Sequence, residues 1–172
     1  MVVFGDHGEA FGQHDGNFGH SLFIYDENVR VPLLITTIGS TSLPRLPAPS
    51  RASRVRRVAS VIDIAPTILD LLGLPADPLH EGASLLAPRE RMALFYTDYT
   101  LGWLGLRDGC WKYAYEIDSR RSRLFDVCAD PGETADRSRE ETRRVDAYRD
   151  RLEQWSGAQR AAISGQRAEG KE

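Results

Sequence analysis

Four short segments in the second half of the chain alternate apolar and polar side chains, and this pattern constrains the fold most strongly. They are Ala93 to Thr97, Leu104 to Arg107, Trp111 to Tyr115 and Leu124 to Asp126. Alternation with a period of two indicates half-buried strands, and Asp108-Gly109 is a hairpin turn signal between the middle two. Because the strands follow one another directly, they predict a small four-stranded antiparallel sheet. An apolar face recurs over Arg139 to Trp155 and predicts a C-terminal helix.

The first part of the chain has a different periodicity. Val2 to Phe4 and Val29 to Thr36 are apolar runs that predict strands of a parallel sheet, and Leu22 to Asn28 predicts a short helix between them. Apolar residues at three- and four-residue spacing predict an amphipathic helix over residues 58–72, with Asp63 as its expected cap. The predicted fold class is α/β, with an α/β sheet portion over residues 1–91, an antiparallel subdomain over 92–156 and a polar tail over 157–172.

The composition excludes several classes of protein. The chain has 172 residues, is 41% hydrophobic and 27% charged, and therefore has enough apolar residues for a core. Its net charge of −3 disfavours a nucleic-acid-binding surface. No apolar run approaches the ~20 residues of a membrane span, and no signal peptide is visible. The two cysteines, Cys110 and Cys128, are expected as two buried thiols, with pairing as the alternative.

Asp6 and His7 leave the first strand together and are followed by a glycine. A carboxylate and a neutral imidazole are both ligands for divalent cations, and Gly8 permits the turn that would direct both at one ion. The alternative is a turn aspartate beside an exposed histidine. The adjacent pair alone does not decide between these two interpretations.

The surrounding sequence favours the metal-ligand interpretation of Asp6 and His7. GDHGEAFGQH begins at Gly5, GHSL begins at Gly19, and YDENVRVPLLI begins at Tyr25. Together these segments closely resemble the sulfatase family of the alkaline phosphatase superfamily. The resemblance continues through residues 63–69, 72–74, 82–86, 107–113, 124–127 and 130–134. It implies the C-terminal part of an alkaline-phosphatase-like α/β sheet domain followed by the small antiparallel subdomain.

The resemblance also implies roles for individual residues. Asp6 and His7 correspond to two metal ligands, for Ca²⁺ or Mn²⁺. His20 falls where the family places a Lys or His that contacts the transferred sulfate or phosphate group, and it is the expected catalytic residue. His14 lies in the same loop and is a possible substrate-binding residue. Arg30 is expected to form a salt bridge with a helix carboxylate such as Glu27.

The expected reaction is hydrolysis of a sulfate ester, but the nucleophile expected from the family is missing. Sulfatases carry it in a Cys/Ser-x-Pro-x-Arg motif, which this sequence does not contain. The isolated chain is therefore expected to be inactive, with the N-terminal half of the catalytic domain as its partner. Two alternatives remain open. One is a phosphodiesterase, phosphonate hydrolase or phosphoglycerol transferase of the same superfamily; the other is a non-catalytic module.

Overall fold

A computed structural model describes residues 1–36, 54–87, 89–99 and 101–169. The chain divides into two compact units: Met1–His20 with Tyr25–Ala93, and Ser21–Ile24 with Leu94–Glu172. None of the helices in these described ranges has the length and apolar character to cross a bilayer.

The first unit contains two small two-stranded sheets. Strand β1 (Val2–Phe4) pairs with β4 (Leu33–Ile35), and β2 (Ala10–Phe11) pairs with β3 (Phe18–Gly19). Helix α1 (Asp26–Val29) precedes β4 and is shorter than the sequence predicts. The expectation that β1 and β4 belong to a parallel sheet is wrong within the described residues, because the chain reverses between them and they pair antiparallel.

Helix α2 (Ile64–Leu71) follows a 3₁₀ turn at Val61–Asp63. Asp63 is the N-cap residue of α2, as predicted, but its side chain makes no capping hydrogen bond to that helix. Its carboxylate instead belongs to the capping box of the preceding 3₁₀ turn, where Ser60 is the cap, and the side chain is fully buried. Its carboxylate also accepts a hydrogen bond from the Ala83 backbone N–H at 3.0 Å and forms an ion pair with Arg91. One buried side chain thus fixes the start of the helix to the loop that follows it.

The second unit is built on a four-stranded sheet in the order β5-β6-β7-β8. Its strands are β5 (Met92–Thr97), β6 (Trp103–Asp108), β7 (Trp111–Glu116) and β8 (Arg121–Asp126). Strands β6, β7 and β8 pair antiparallel, and Asp108 faces Trp111 across the predicted turn. The predicted antiparallel sheet is confirmed, and each strand is one to three residues longer than its sequence pattern indicates.

Helix α3 (Thr142–Glu169) packs on this sheet. Its Tyr148 side chain is buried and donates a hydrogen bond to Asp108 Oδ2 at 2.7 Å. The shared core comprises Leu104, Leu106, Tyr113, Leu124, Val145, Tyr148 and Leu152. The helix continues past Trp155, where the sequence predicts its end, so residues 157–169 of the predicted polar tail are helical. Ala, Gln, Arg and Glu dominate this segment and favour helix even without an apolar face.

A buried ion pair also lies in this unit. Lys112 on β7 places its Nζ 2.9 Å from Glu133 Oε1, and each side chain is only 1% exposed. Glu133 has φ 50°, in the left-handed region that disfavours most side chains. The two charges neutralise each other, because burying either of them unpaired would be strongly destabilising.

Cys110 and Cys128 form a disulfide, so the expectation of two buried thiols is wrong. Cys110 immediately precedes β7 and Cys128 follows β8, and the register of these two strands aligns Trp111 with Asp126. The Val127 N–H donates to the Cys110 carbonyl at 2.9 Å, which extends the ladder to the cysteines. Strand register, which spacing alone does not reveal, brings the two sulfurs together.

Reduction of this disulfide is expected to lower the free energy of unfolding by about 3 kcal/mol, because it frees a loop of this size in the unfolded chain. The cysteines are 18 residues apart in sequence. Urea unfolding with and without a thiol reductant measures the change. The double variant Cys110→Ser/Cys128→Ser should match the reduced protein and be insensitive to reductant. A reductant effect below about 0.5 kcal/mol would contradict the loop-closure account.

Candidate active site

The β2–β3 hairpin places two of the site residues opposite each other. Ala10 pairs with Gly19, so Glu9 and His20 are the next pair along the two strands. His20 Nδ1 lies 3.0 Å from Glu9 Oε2 and donates its proton to this carboxylate. Both side chains are about half exposed, at 48% for His20 and 45% for Glu9. The hairpin thus presents an oriented imidazole whose Nε2 is left for other partners.

Asp6 and His7 occupy the turn after β1. His7 Nδ1 lies 2.8 Å from the Gly8 carbonyl oxygen, so Nδ1 carries the proton and Nε2 keeps its lone pair. The Asp6 carboxylate accepts the His7 backbone N–H at 3.0 Å, and its Oδ1 lies 3.9 Å from His7 Nε2. The turn therefore presents a carboxylate oxygen and an imidazole nitrogen within reach of one cation.

Gly8 fixes this turn against helix α1. Its N–H donates to the Asn28 carbonyl at 2.8 Å. A Cβ added at Gly8 would lie 2.0 Å from the Glu27 carbonyl oxygen, a distance that only glycine avoids. The contact explains why glycine follows the Asp-His pair.

The rings of His7 and His20 stack on each other, with centroids 3.9 Å apart and an interplanar angle of 23°. The structure therefore brings together the predicted metal-ligand turn and the predicted catalytic histidine. Glu9, which the sequence analysis did not identify, completes this cluster. Its signal was available in the sequence, because Glu9-x-Phe11 and Phe18-x-His20 flank a glycine-containing turn with the alternation of a hairpin.

His14 belongs to a different cluster. Its Nδ1 donates to Glu27 Oε1 at 2.6 Å, and its ring stacks on Tyr25 with centroids 3.6 Å apart. The side chain is 17% exposed, and its Nε2 is buried. Substrate binding through His14 stays a prediction, and these contacts show how the residue also anchors the hairpin to α1.

Two buried asparagines complete this anchor. Asn17 donates to Glu27 Oε1 and to Asn28 Oδ1, both at 2.8 Å, and Asn28 donates to the Gly19 carbonyl at 3.0 Å. Asn17 is fully buried and Asn28 is 3% exposed. This network holds the strand that carries His20. Sequence reasoning missed it because a glycine-rich polar loop gives no sign of which asparagines become buried.

Arg30 pairs with a helix carboxylate, as predicted, but the carboxylate is that of Asp26 rather than Glu27. Arg30 Nη1 lies 3.8 Å from Asp26 Oδ2, one turn back along the helix. Glu27 instead points at His14 and Asn17.

Glu27 should contribute a pH-dependent part of the stability. Burial raises the pKa of its carboxyl, but hydrogen bonds from His14, its own backbone N–H and Asn17 outweigh burial, and the pKa lies below 4.5. A lowered folded-state pKa stabilises the protein above the unfolded value and is lost as the pH falls through the folded value. We expect Glu27→Gln to flatten the decline of Tm below pH 4.5, measured by thermal melts across an acid series.

The exposed carboxyl of Glu90 provides the matched control for this measurement. Glu90→Gln should leave the acid decline of Tm unchanged. An equal acid decline in Glu27→Gln and the unsubstituted chain would contradict the proposed stabilisation by Glu27.

Known proteins similar to this chain indicate its family. A sequence model of the sulfatase family matches residues 1–74, the segment that carries the Asp6, His7 and His20 cluster. These first 74 residues are therefore similar to the sulfatase family. Arylsulfatase K of Mus musculus is 30% identical to it over 152 residues, which cover 77% of this chain and 26% of the relative. The chain thus spans about a quarter of that relative's length.

Solved structures show the same fold. A 2-O GAG sulfatase superimposes with a TM-score of 0.71 at 19% identity, over 95% of this chain and 37% of the other. A phosphonate monoester hydrolase of Agrobacterium radiobacter superimposes with a TM-score of 0.67 at 23% identity, over 91% and 34% of the two chains. The shared architecture confirms the α/β fold class with its antiparallel sheet and C-terminal helix.

The sulfatase family implies a divalent metal ion, and the donor set described here fits one. The Asp6 side chain is 88% exposed and the His7 side chain 46%, so both can reach an ion in the same solvent-filled space. Their donor atoms are 3.9 Å apart, a separation that two ligands at about 2.0–2.4 Å from one ion can span.

Proposed function

We propose that this chain contributes part of the active site of a metal-dependent sulfate ester hydrolase. Asp6 and His7 would be metal ligands, and His20 would be the catalytic residue that meets the transferred group. The observation that carries this proposal is the stacked contact between His7 and His20 at 3.9 Å. This contact supports the proposal because ester cleavage would need the proposed metal ligands and the proposed catalytic side chain close together.

His20 suits two tasks in such a reaction. Its imidazole can donate a proton to the leaving ester oxygen, or it can stabilise charge on the sulfate oxygens when it is protonated. The Glu9 carboxylate at 3.0 Å holds the ring by Nδ1 and directs Nε2 away from the hairpin. Glu9 is therefore a positioning residue in this proposal.

The ion we propose is Ca²⁺ or Mn²⁺. When bound, it supplies charge stabilisation and activation of the nucleophile. The Asp6 carboxylate suits either ion, whereas an imidazole such as His7 suits Mn²⁺ better than Ca²⁺. Such a cation takes about six or more donors, so the rest of the catalytic domain would supply the other ligands and the nucleophile.

A related activity on phosphorus is the second candidate. The histidine at the proposed ligand position keeps it open, and the fold is shared with a phosphonate monoester hydrolase as well as with sulfatases. Phosphodiester, phosphonate and phosphoglycerol substrates would use the same residues. A non-catalytic module is the remaining alternative, and it predicts no hydrolysis in any combination of segments.

The proposal is tested by producing this chain alone and together with the segment encoded upstream of it. Each preparation is assayed with an aryl sulfate and a phosphodiester, with Ca²⁺ or Mn²⁺ added. We expect no hydrolysis by the chain alone and metal-dependent sulfate ester hydrolysis by the combination, provided that the upstream segment carries a Cys/Ser-x-Pro-x-Arg motif. Faster phosphodiester cleavage would favour the second candidate. Metal-dependent hydrolysis by the chain alone, lost in Asp6→Ala, would refute the assignment of the nucleophile to another segment.

A further inference from the structure

Three potential metal ligands converge beside the β2–β3 hairpin. His7, Glu9 and His20 each offer a ligand atom, and these atoms lie within 4.8 Å of one another. We propose that these three residues form a binding site for a borderline first-row transition cation such as Zn²⁺. This set differs from the Asp6–His7 pair of the proposed function, since it adds a second imidazole and uses Glu9 in place of Asp6.

Two of the ligand atoms already have the spacing that a cation requires. Glu9 Oε2 and His20 Nδ1 are 3.0 Å apart and come from opposite strands of the hairpin. Two ligands at about 2.1 Å from one ion, at right angles, are about 3 Å apart. An ion can therefore replace the proton between them with little movement of the backbone.

The third ligand is held in the tautomer that binds metal. His7 donates Nδ1–H to the Gly8 carbonyl, which leaves Nε2 as the coordinating atom. Metal-binding histidines commonly donate their other N–H to a backbone carbonyl or carboxylate, and this fixes the ring. The two rings stack with an interplanar angle of 23°, so one ring must rotate before both nitrogen lone pairs can point at one ion.

The donor set predicts which cation binds. Two imidazoles and one carboxylate suit Zn²⁺, Ni²⁺ or Cu²⁺, whereas Ca²⁺ prefers a shell of oxygens. A transition cation at this site would occupy both His7 and His20. It would therefore compete with the hydrolytic use of these residues, and this consequence alone rests on the proposed function.

The test is titration of the metal-stripped full chain with Zn²⁺ alone by isothermal calorimetry. We expect one Zn²⁺ per chain at this site. Glu9→Gln and His20→Gln should each weaken binding by about 10-fold or more, since even outer-shell substitutions cost 10–100-fold. His80→Gln, at a histidine outside the cluster, should leave the affinity within about twofold.

Co²⁺ provides a second measurement, because its visible absorption reports the ligands directly. Replacing Glu9 or His20 should change the Co²⁺ spectrum, while His80→Gln should preserve it, with far-UV circular dichroism verifying the fold of each variant. Unchanged Zn²⁺ affinity in either Glu9→Gln or His20→Gln would overturn the proposal. These readouts need no hydrolysis, so failure of the proposed sulfatase activity would leave the metal site testable.

Discussion

In the proposed sulfate ester hydrolase, in which this chain would act with the N-terminal half of a catalytic domain, replacing His20 with alanine is expected to lower kcat by roughly 10²–10⁴-fold. This is the loss expected when a general acid is removed. The side chain is 48% exposed and is held by Glu9, so its removal leaves the hairpin contacts of Asn17 and Asn28 in place. Steady-state kinetics across a range of substrate concentrations separates the loss in kcat from any change in KM.

Asp6→Ala gives the contrasting result for a metal ligand. It should abolish metal-dependent turnover and make the remaining activity insensitive to added Ca²⁺ or Mn²⁺. His80→Ala, outside the cluster, should retain the activity of the unsubstituted enzyme. If His20→Ala retained full kcat at every metal concentration, His20 would have no catalytic role.

Lys112→Met is expected to lower the free energy of unfolding by about 3–5 kcal/mol, because it leaves the Glu133 carboxylate buried without its cation. Both side chains are 1% exposed and their charged atoms are 2.9 Å apart. Methionine has nearly the same volume as the lysine stem, so the loss is chiefly electrostatic. Urea unfolding at constant pH measures it.

Two further variants distinguish the loss of the buried ion pair from a general loss of stability. Lys112→Met/Glu133→Gln removes both charges and should recover part of the loss, because a neutral amide is less costly to bury. Glu140→Gln breaks the exposed pair with Arg137, where the side chains are 48% and 64% exposed, and should lower the free energy of unfolding far less than Lys112→Met. If Lys112→Met and Glu140→Gln lowered the free energy of unfolding equally, burial would not make an ion pair more important for stability.

Periodicity in the sequence predicted the second unit well because local pattern and tertiary packing agree there. The turn at Asp108-Gly109 and the alternation in Trp111 to Tyr115 determine both the hairpin and the face that α3 covers. The disulfide could not be predicted from spacing, because its formation depends on the register of β7 and β8. The extent of α3 was underestimated because an apolar stripe marks only the packed part of a helix.

The site was predicted in part for a comparable reason. Motif resemblance identified Asp6, His7 and His20, and the structure brings His7 and His20 into contact. Neither Glu9 nor Asn17 was predicted from the sequence. The role of Glu9 depends on its cross-strand pairing with His20, and that of Asn17 depends on its burial. The antiparallel pairing of β1 with β4 was missed because an apolar run specifies a strand without specifying the direction of its neighbour.

The buried Asp63 carboxylate affects which segments of the first unit unfold locally together. It joins Ser60, Ala83 and Arg91, which are separated along the chain and include a loop without regular structure. If the loop around Ala83 moved away from the start of α2, the buried Asp63 carboxylate would lose a hydrogen bond, and this loss opposes independent motion of the loop. The loop around Ala83 therefore belongs to the same cooperative opening unit as α2, although no helix or strand contains it.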